Sequence, residues 1–368
     1  MSRKTEKKFK TTPEEIAEIR PENLKLKNDF IEYLRGTDHS PKTVDVYINN
    51  LDIFFIFMKN HLRNKDFAKI KKKDIIKLQN IMLEKELSPA RIRNIKSSIS
   101  SLSSYCENIL ADDIDEDEED EDVLKWEGFR NIINKIPAPS MTTVREKTIL
   151  SEEECEKLLE DLIKEKQYQK ACAFALAYSS GRRKSELLRI KISHIIEDNL
   201  VFGALYKTPE KIKTKGHGSR GKMLNLYIYK PKFKKYFDLW IEERKRLGVP
   251  KDMDDIFVTK NKNGEWRPVS ISNFNYWAND FTKRLNKDFY WHCMRHNFCT
   301  FLIQSKIPSS VVKEIIGWEN LEMVDRYTDL EVDDRLGEFF NSEGIKDDIQ
   351  TNNAFNISEN NNKNIKNK

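Results

Sequence analysis

Two short stretches of this sequence carry residue types that could act together on an anion. His292 and Arg295 stand three apart in the stretch 291–330, WHCMRHNFCTFLIQSKIPSSVVKEIIGWENLEMVDRYTDL. The apolar spacing around them (Met294, Phe298, Phe301, Leu302) predicts a helix, so imidazole and guanidinium can project from one face. Gly317-Trp318 closes a second apolar segment (Val311, Val312, Ile315, Ile316), and Tyr327 follows nine positions after Trp318. Upstream, SSGRRKSELLRI at 179–190 offers a tight turn at Gly181 and repeats the three-residue spacing with Arg183 and Glu186. Together these positions supply cations, a proton-transferring imidazole and a phenol nucleophile.

In this order and spacing the residues resemble the tyrosine recombinase (phage integrase) family. Its first box reads Gly-x-Arg-x-x-Glu-Leu, as Gly181, Arg183, Glu186 and Leu187 do here. Its second reads His-x-x-Arg, then Gly-His or Gly-Trp, then Tyr, matched by His292, Arg295, Gly317-Trp318 and Tyr327. The resemblance runs over residues 149–340, with a weaker echo over 24–110. One position departs from the family's habit, Lys184, which stands where an apolar residue is usual; Trp318 takes the tryptophan form of a position where many relatives have histidine.

The resemblance implies cleavage of a DNA phosphodiester without metal or nucleotide cofactor. Arg183 and Arg295 would stabilise charge on the pentavalent transition state, because planar guanidinium forks suit two phosphate oxygens. Arg182 competes with Arg183 on charge alone, and the spacing to Gly181 and Glu186 selects Arg183, which Glu186 would orient. Tyr327 would attack phosphorus; forming its phenolate at pH 7 costs about 4 kcal/mol from an unperturbed pKa near 10, a cost that His292 and the arginines would lower. Trp318 would donate its indole N–H to a phosphate oxygen or buttress the tyrosine. The family supplies the leaving-group proton from a lysine on a turn between two strands, and Lys215, in KTPEKIKTKGHGSRGK, best matches it. His296 reads as structural, Cys293 as a packing residue and His217 as an exposed turn residue.

The elements that must position these groups can be read from the rest of the chain. With 368 residues, 38% hydrophobic and 34% charged, the chain can bury two domain-sized cores. No run approaches a membrane span, the start MSRKTEKKFK lacks the apolar core of a signal peptide, and a cytoplasmic, nucleoid-associated protein is expected. Five cysteines without a Cys-x-x-Cys pair indicate neither a disulfide framework nor a zinc site. The net charge of +5 understates the basic surface, because residues 112–122 (DDIDEDEEDED) concentrate ten carboxylates. The basic remainder suits a polyanion.

The expected fold is mainly α with a small antiparallel β-sheet: an N-terminal helical core-binding bundle followed by a catalytic domain. Residues 1–23 read as a basic tail, with a short helix over 13–19, and 24–138 as a helical DNA-binding domain carrying the acidic insertion 112–122. A linker at 139–148, a catalytic domain at 149–340 and an Asn- and Lys-rich tail at 341–368 complete the chain. Ser40-Pro41 and Ser88-Pro89 open two helices of the bundle. Its second helix buries Val44, Ile48, Leu51, Phe55 and Met58, its third Ile75, Leu78 and Met82, and its fourth Ile92, Ile95, Ile99 and Leu102. Opposite the last group, Arg91, Arg93, Asn94 and Lys96 form a face suited to phosphates and base edges, with Lys42 a weaker candidate at the start of the second helix. A further helix is expected over 123–136, strands over 200–206 and 223–229 and at 256–258, and helices over 232–246 and 270–285.

The family further implies a homotetramer on paired double-stranded DNA sites with inverted-repeat cores, leaving room for an accessory DNA-bending protein. The expected function is a site-specific recombinase forming a 3′-phosphotyrosyl intermediate, for a mobile element. Relaxation of DNA in the manner of a type IB topoisomerase and a catalytically silent DNA-binding regulator are the alternatives.

Overall fold

The computed structural model describes residues 9, 11–112, 114, 120–140, 148–216, 220–325, 340–341 and 344–345. The described chain is mainly helical with small antiparallel sheets, and it divides into two units: residues 1–148 with 212–224, and residues 149–211 with 225–368. Tyr327, His217, most of the acidic run, the linker positions 141–147 and both chain ends lie outside the described residues.

The first unit begins with α1 (Pro13–Ala17), whose capping box joins Thr12 and Glu15. Then come α2 (Pro21–Gly36), α3 (Pro41–His61), α4 (Lys72–Glu84), α5 (Pro89–Tyr105) and the short α6 (Glu121–Leu124). Ser40 Oγ accepts from Thr43 N and Ser88 Oγ from Arg91 N, so both Ser-Pro pairs start helices with a side-chain cap and a proline that has no N–H to lose. The central helix is α3, in which every residue from Leu51 to Met58 is buried. A helix apolar on all sides must be surrounded, and Asp52 is tolerated there because Lys27 of α2 donates to it at 2.6 Å. Ile92, Ile95, Ile99 and Leu102 of α5 and Ile75, Leu78 and Met82 of α4 close the core.

The expected helix over 123–136 is not continuous. The chain leaves α6 by turns through Gly128, at φ +65°, and ends in a 3-10 turn at Ile133–Lys135. Asn131 explains the break: its Nδ2 donates to Ser100 O, Ser100 Oγ and Ser104 Oγ, and its Oδ1 accepts from Ile133 N. These bonds pin the segment across α5 and compete with a helical backbone.

The second unit starts with α7 (Glu152–Lys164), opened by the capping box of Ser151 and Glu154, and continues with α8 (Tyr168–Ser180) and α9 (Lys184–Leu187). Strands β1 (Leu200–Val201) and β2 (Leu205–Lys207) precede a hairpin, β3 (Ile212–Thr214) and β4 (Lys222–Leu224), that groups with the first unit. After β5 (Tyr227–Tyr229), the sheet order is β1-β2-β5, all antiparallel, with Tyr206 opposite Ile228. The two expected long strands are thus each broken in two. Thr208, buried between them, donates through Oγ1 to Glu210 O and accepts from Leu226 N, while Asn225 Nδ2 donates to Thr208 O. Side chains here replace ladder bonds and end the three-stranded sheet.

Helix α10 (Lys230–Arg246), hairpin β6 (Val258–Lys260) and β7 (Trp266–Pro268), and helices α11 (Ile271–Leu285), α12 (Cys293–Gln304), α13 (Ser309–Ile316) and α14 (Glu322–Asp325) follow, with a last strand pair β8 (Phe340–Asn341) and β9 (Gly344–Ile345). The axis of this unit is α8: all residues from Ala171 to Ser180 are buried, and its alanines let α7, α10 and α12 approach closely. Among the described residues no helix is long and apolar enough to cross a membrane.

Candidate active site

The buried α8 delivers the chain to a corner at Gly181, whose φ of +59° closes the helix in the left-handed region. A Cβ there would lie 3.0 Å from Phe298 Cδ1 and 3.3 Å from Ile316 Cδ1, so only glycine lets this corner sit against both α12 and α13.

The two arginines after the corner part company. Arg182 turns inward, 1% exposed, and donates from Nη1 to Ile316 O at 3.2 Å and from Nη2 to Ile315 O. Arg183 caps α9 with its side chain 31% exposed, and its Nη1 donates to Glu186 Oε1 at 2.9 Å. Glu186 is buried, and its Oε2 also accepts from Arg183 N. Burial alone would push this carboxyl up, but Arg183 and Arg182 outweigh it and hold Glu186 below the usual carboxylate range. A fixed carboxylate therefore aims Arg183 while leaving the rest of its guanidinium without a protein partner among the described residues.

Arg295, in the first turn of α12, is 0% exposed. Its Nη1 donates to Gly181 O at 3.2 Å and its Nη2 to Ile316 O at 3.0 Å, and its Cζ lies 5.2 Å from the centroid of the Trp318 ring. Ile316 O thus accepts from both Arg182 and Arg295 at the C-terminus of α13, the negative end of that helix. Gly317, at φ +82°, ends α13 and places Trp318 under Arg295. Among the described residues, three guanidinium charges stand against the one carboxylate of Glu186, a net +2. Such a cluster attracts an anion.

His292, at the N-cap of α12, is exposed, so it does not share an exposed face with Arg295 despite the three-residue spacing. Its ring packs edge-on against buried His296, centroids 5.4 Å apart. Cys293 is buried, and burial pushes its thiol up to about 12, as fits a packing residue.

The profile of the Phage integrase family matches residues 148–333, just over half of the chain, and contains the whole of this cluster. The chain belongs to the phage integrase family. It is a tyrosine recombinase, an enzyme that cleaves and transfers DNA strands. A second profile, the phage integrase N-terminal SAM-like domain, matches residues 26–116. The SPbeta prophage-derived recombinase-like protein YomM of Bacillus subtilis (strain 168) is 28% identical over 280 residues, covering 75% of this chain and 78% of that protein. A tyrosine recombinase of Thermosipho africanus (strain TCF52B) is 24% identical over 311 residues, covering 83% and 93%. Among solved structures, the XerH site-specific recombinase in a post-cleavage complex with palindromic difH substrate has a TM-score of 0.58 at 20% identity, covering 80% of this chain and 78% of that one. A lambda integrase dimer bound to a COC′ core site has a TM-score of 0.58 at 14% identity, covering 84% and 79%. At these identities the structures establish the shared recombinase fold.

In this recombinase Lys215 stands, exposed, just past β3 at the turn of the β3–β4 hairpin, in the segment that groups with the first unit. At the root of the hairpin, buried His194 contacts Glu210 through Nε2 at 2.8 Å while its Nδ1 accepts from Lys191 N. Since Nδ1 accepts, Nε2 carries the proton and donates. Sequence reasoning passed over both residues, and nothing in their spacing singles them out.

The DNA-facing candidates of α5 divide. Arg93 and Asn94 are exposed, as is Lys42 on α3. Lys96 is not available on that face: it is 6% exposed, and its Nζ donates to Gln79 Oε1, Ile136 O and Pro137 O. The segment after α6 folds back over α5 and buries this lysine, which the period of α5 alone does not reveal. Arg93 Nε and Nη2 both donate to Pro139 O in the same segment. Arg91, partly buried, donates from Nη1 to Asn50 Oδ1 and Asn94 Oδ1. Asn50 is an addition to the sequence candidates, and its signal was an amide at the head of the apolar run of α3.

Proposed function

We propose that Tyr327 is the nucleophile of this recombinase and that it opens one DNA strand at each site by attack of its phenol oxygen on phosphorus. The P–O bond to the 5′ oxygen breaks as the new one forms, giving a 3′-phosphotyrosine and a free 5′-hydroxyl. The net +2 cluster at the Gly181 corner carries this reading. Arg183 offers N–H groups that Glu186 has oriented in advance, so little reorganisation is needed as charge develops on the phosphoryl oxygens. Arg295 meets the phosphate by exchanging a carbonyl partner for it, with Trp318 stacked beneath. His292, at the surface end of α12, takes up the phenol proton. Lys215 protonates the departing 5′ oxygen. A 5′-hydroxyl from a second duplex then attacks the phosphotyrosine, reforms a phosphodiester and returns the phenol, so the strand is resealed with no energy source beyond the bond that was broken.

In this reading the substrate is double-stranded DNA with inverted-repeat core sites, held by four copies of the chain, and the α5 face of the first unit grips the duplex. A prophage origin of the 28%-identical relative favours a mobile-element substrate. The test is covalent capture: wild type and Tyr327→Phe are incubated in EDTA with fragmented source DNA, denatured in detergent, and the protein-linked DNA is sequenced. Adducts at one shared sequence with wild type only are expected. Equal adducts from Tyr327→Phe would reassign the nucleophile.

A further inference from the structure

The amide of Asn94 is held in one orientation by a network that has a single solution. Arg91 can only donate, and its Nη1 lies 2.6 Å from one side-chain atom of Asn50 and 3.0 Å from one of Asn94, so both of those atoms must be carbonyl oxygens. That choice fixes both amides. Asn50, 0% exposed, then has its Nδ2 pointing at Asn94 Oδ1 (3.0 Å), Asn94 O (3.3 Å) and Ser98 Oγ (2.8 Å). Asn94 Oδ1 receives Arg91 Nη1 and Asn50 Nδ2, which fill its two lone pairs. What no described residue takes up is the Nδ2 amide of exposed Asn94 together with Nη2 and Nε of partly buried Arg91, and every one of these is a donor.

We infer that Asn50 sets the polarity of the α5 reading head: Arg91 and Asn94 present donors only, and the helix selects a base edge made of acceptors, which in the major groove is the N7/O6 edge of guanine. An asparagine reads adenine through one acceptor and one donor, and here the acceptor is already spent. Cytosine, whose major-groove edge offers a donor, is the base most strongly disfavoured. Phosphate oxygens are also acceptors, and the test below separates the two. This rests on the core-site binding proposed above and names what part of that site α5 recognises.

The decisive variant is Asn94→Asp. Its Oδ1 keeps both internal bonds, while the outward group changes from donor to acceptor at an exposed position where folding is not at stake. The full-length chain is used to select from a library of random-sequence duplexes, and the bound pool is sequenced. Wild type is expected to enrich guanine at one position of each half-site, and Asn94→Asp to lose that preference by about tenfold in favour of cytosine or adenine at the same position. Asn50→Ala is expected to flatten the preference there while leaving the other positions of the site unchanged. Uniform weakening of binding by Asn94→Asp across all sequences would mean that the donors meet phosphates and would overturn the inference, as would an unchanged preference. A wild type that selects no sequence at all would overturn the proposed core-site recognition along with it; a wild type that selects a site whose base preferences ignore Asn94 would overturn this inference alone.

Discussion

Replacing Gly181 by alanine tests how tightly the arginine cluster depends on its corner. Two costs can be separated. The left-handed backbone at φ +59° charges an L residue about 1 kcal/mol. The added methyl then meets Phe298 Cδ1 at 3.0 Å, Phe298 Cβ at 3.2 Å and Ile316 Cδ1 at 3.3 Å, all on buried side chains that cannot swing away, and overpacking of this kind costs about 1–3 kcal/mol. Together the loss is about 2–4 kcal/mol. Gly248 provides the control: its φ is +71°, yet nothing lies within 4 Å of a Cβ built there, so Gly248→Ala should cost only the backbone part, about 1 kcal/mol. Urea unfolding followed by tryptophan fluorescence suits the comparison, because five of the six tryptophans (Trp240, Trp266, Trp277, Trp291, Trp318) lie in the second unit. At a temperature where Gly181→Ala remains folded, strand cleavage should still fall about tenfold, since the corner moves by tenths of an ångström and takes with it the carbonyl that Arg295 holds. If Gly181→Ala proves no more destabilising than Gly248→Ala, the packing argument for the corner is wrong.

Two further outcomes follow from the same geometry. Glu186 is held below its usual range in the fold, so the folded chain binds its proton less readily than the unfolded chain does; its stabilisation is complete above the ordinary carboxylate range and is lost as pH falls from that range through the lower folded value. Glu186→Gln should therefore lower the melting temperature near neutral pH and flatten the decline below about pH 5, and parallel acid limbs for the two proteins would show that Glu186 is not the titrating group. Glu210→Gln, at the hairpin root, should slow cleavage of ordinary DNA about tenfold by loosening the placement of Lys215, yet cleave DNA with sulfur in place of the bridging 5′ oxygen at nearly the wild-type rate, because a thiolate departs without a proton. Equal slowing on both substrates would detach His194 and Glu210 from the proton transfer.

Much of the fold was legible because local signals agreed with one another. Ser88 and Pro89 started α5 where a cap and a fixed φ are both wanted, and Ile92, Ile95, Ile99 and Leu102 fall on one stripe that is wholly buried. The Gly181, Arg183 and Glu186 spacing could be read for the same reason, since a glycine corner followed by a one-turn helix puts residues three apart in contact. What could not be read was set by packing between distant segments. Lys96 looks like its exposed neighbours Arg93 and Asn94 until the segment 133–137, far along the chain, supplies carbonyls that bury it. The run 200–206 has strand composition throughout, but its turn and the hydroxyl of Thr208 decide where pairing stops. Arg295 has the spacing of a solvent-facing fork, and only the arrival of Gly181 and Ile316 shows that it also works as a clamp.

All five cysteines are buried thiols, one of them, Cys106, in the first unit and four, Cys155, Cys172, Cys293 and Cys299, in the second. Burial raises the thiols of Cys106, Cys155, Cys172 and Cys293 well above their ordinary range, so they are both hidden and unreactive while the fold is closed. The molecule therefore carries its own record of breathing. An alkylating reagent can mark a thiol only after the surrounding core has opened, and the mass and position of each adduct then tell which half opened. A label on Cys106 reports opening of the first unit, and labels on the other four report opening of the second. Opening of each unit, with and without a DNA duplex, can be timed on the unmodified protein, without any added probe.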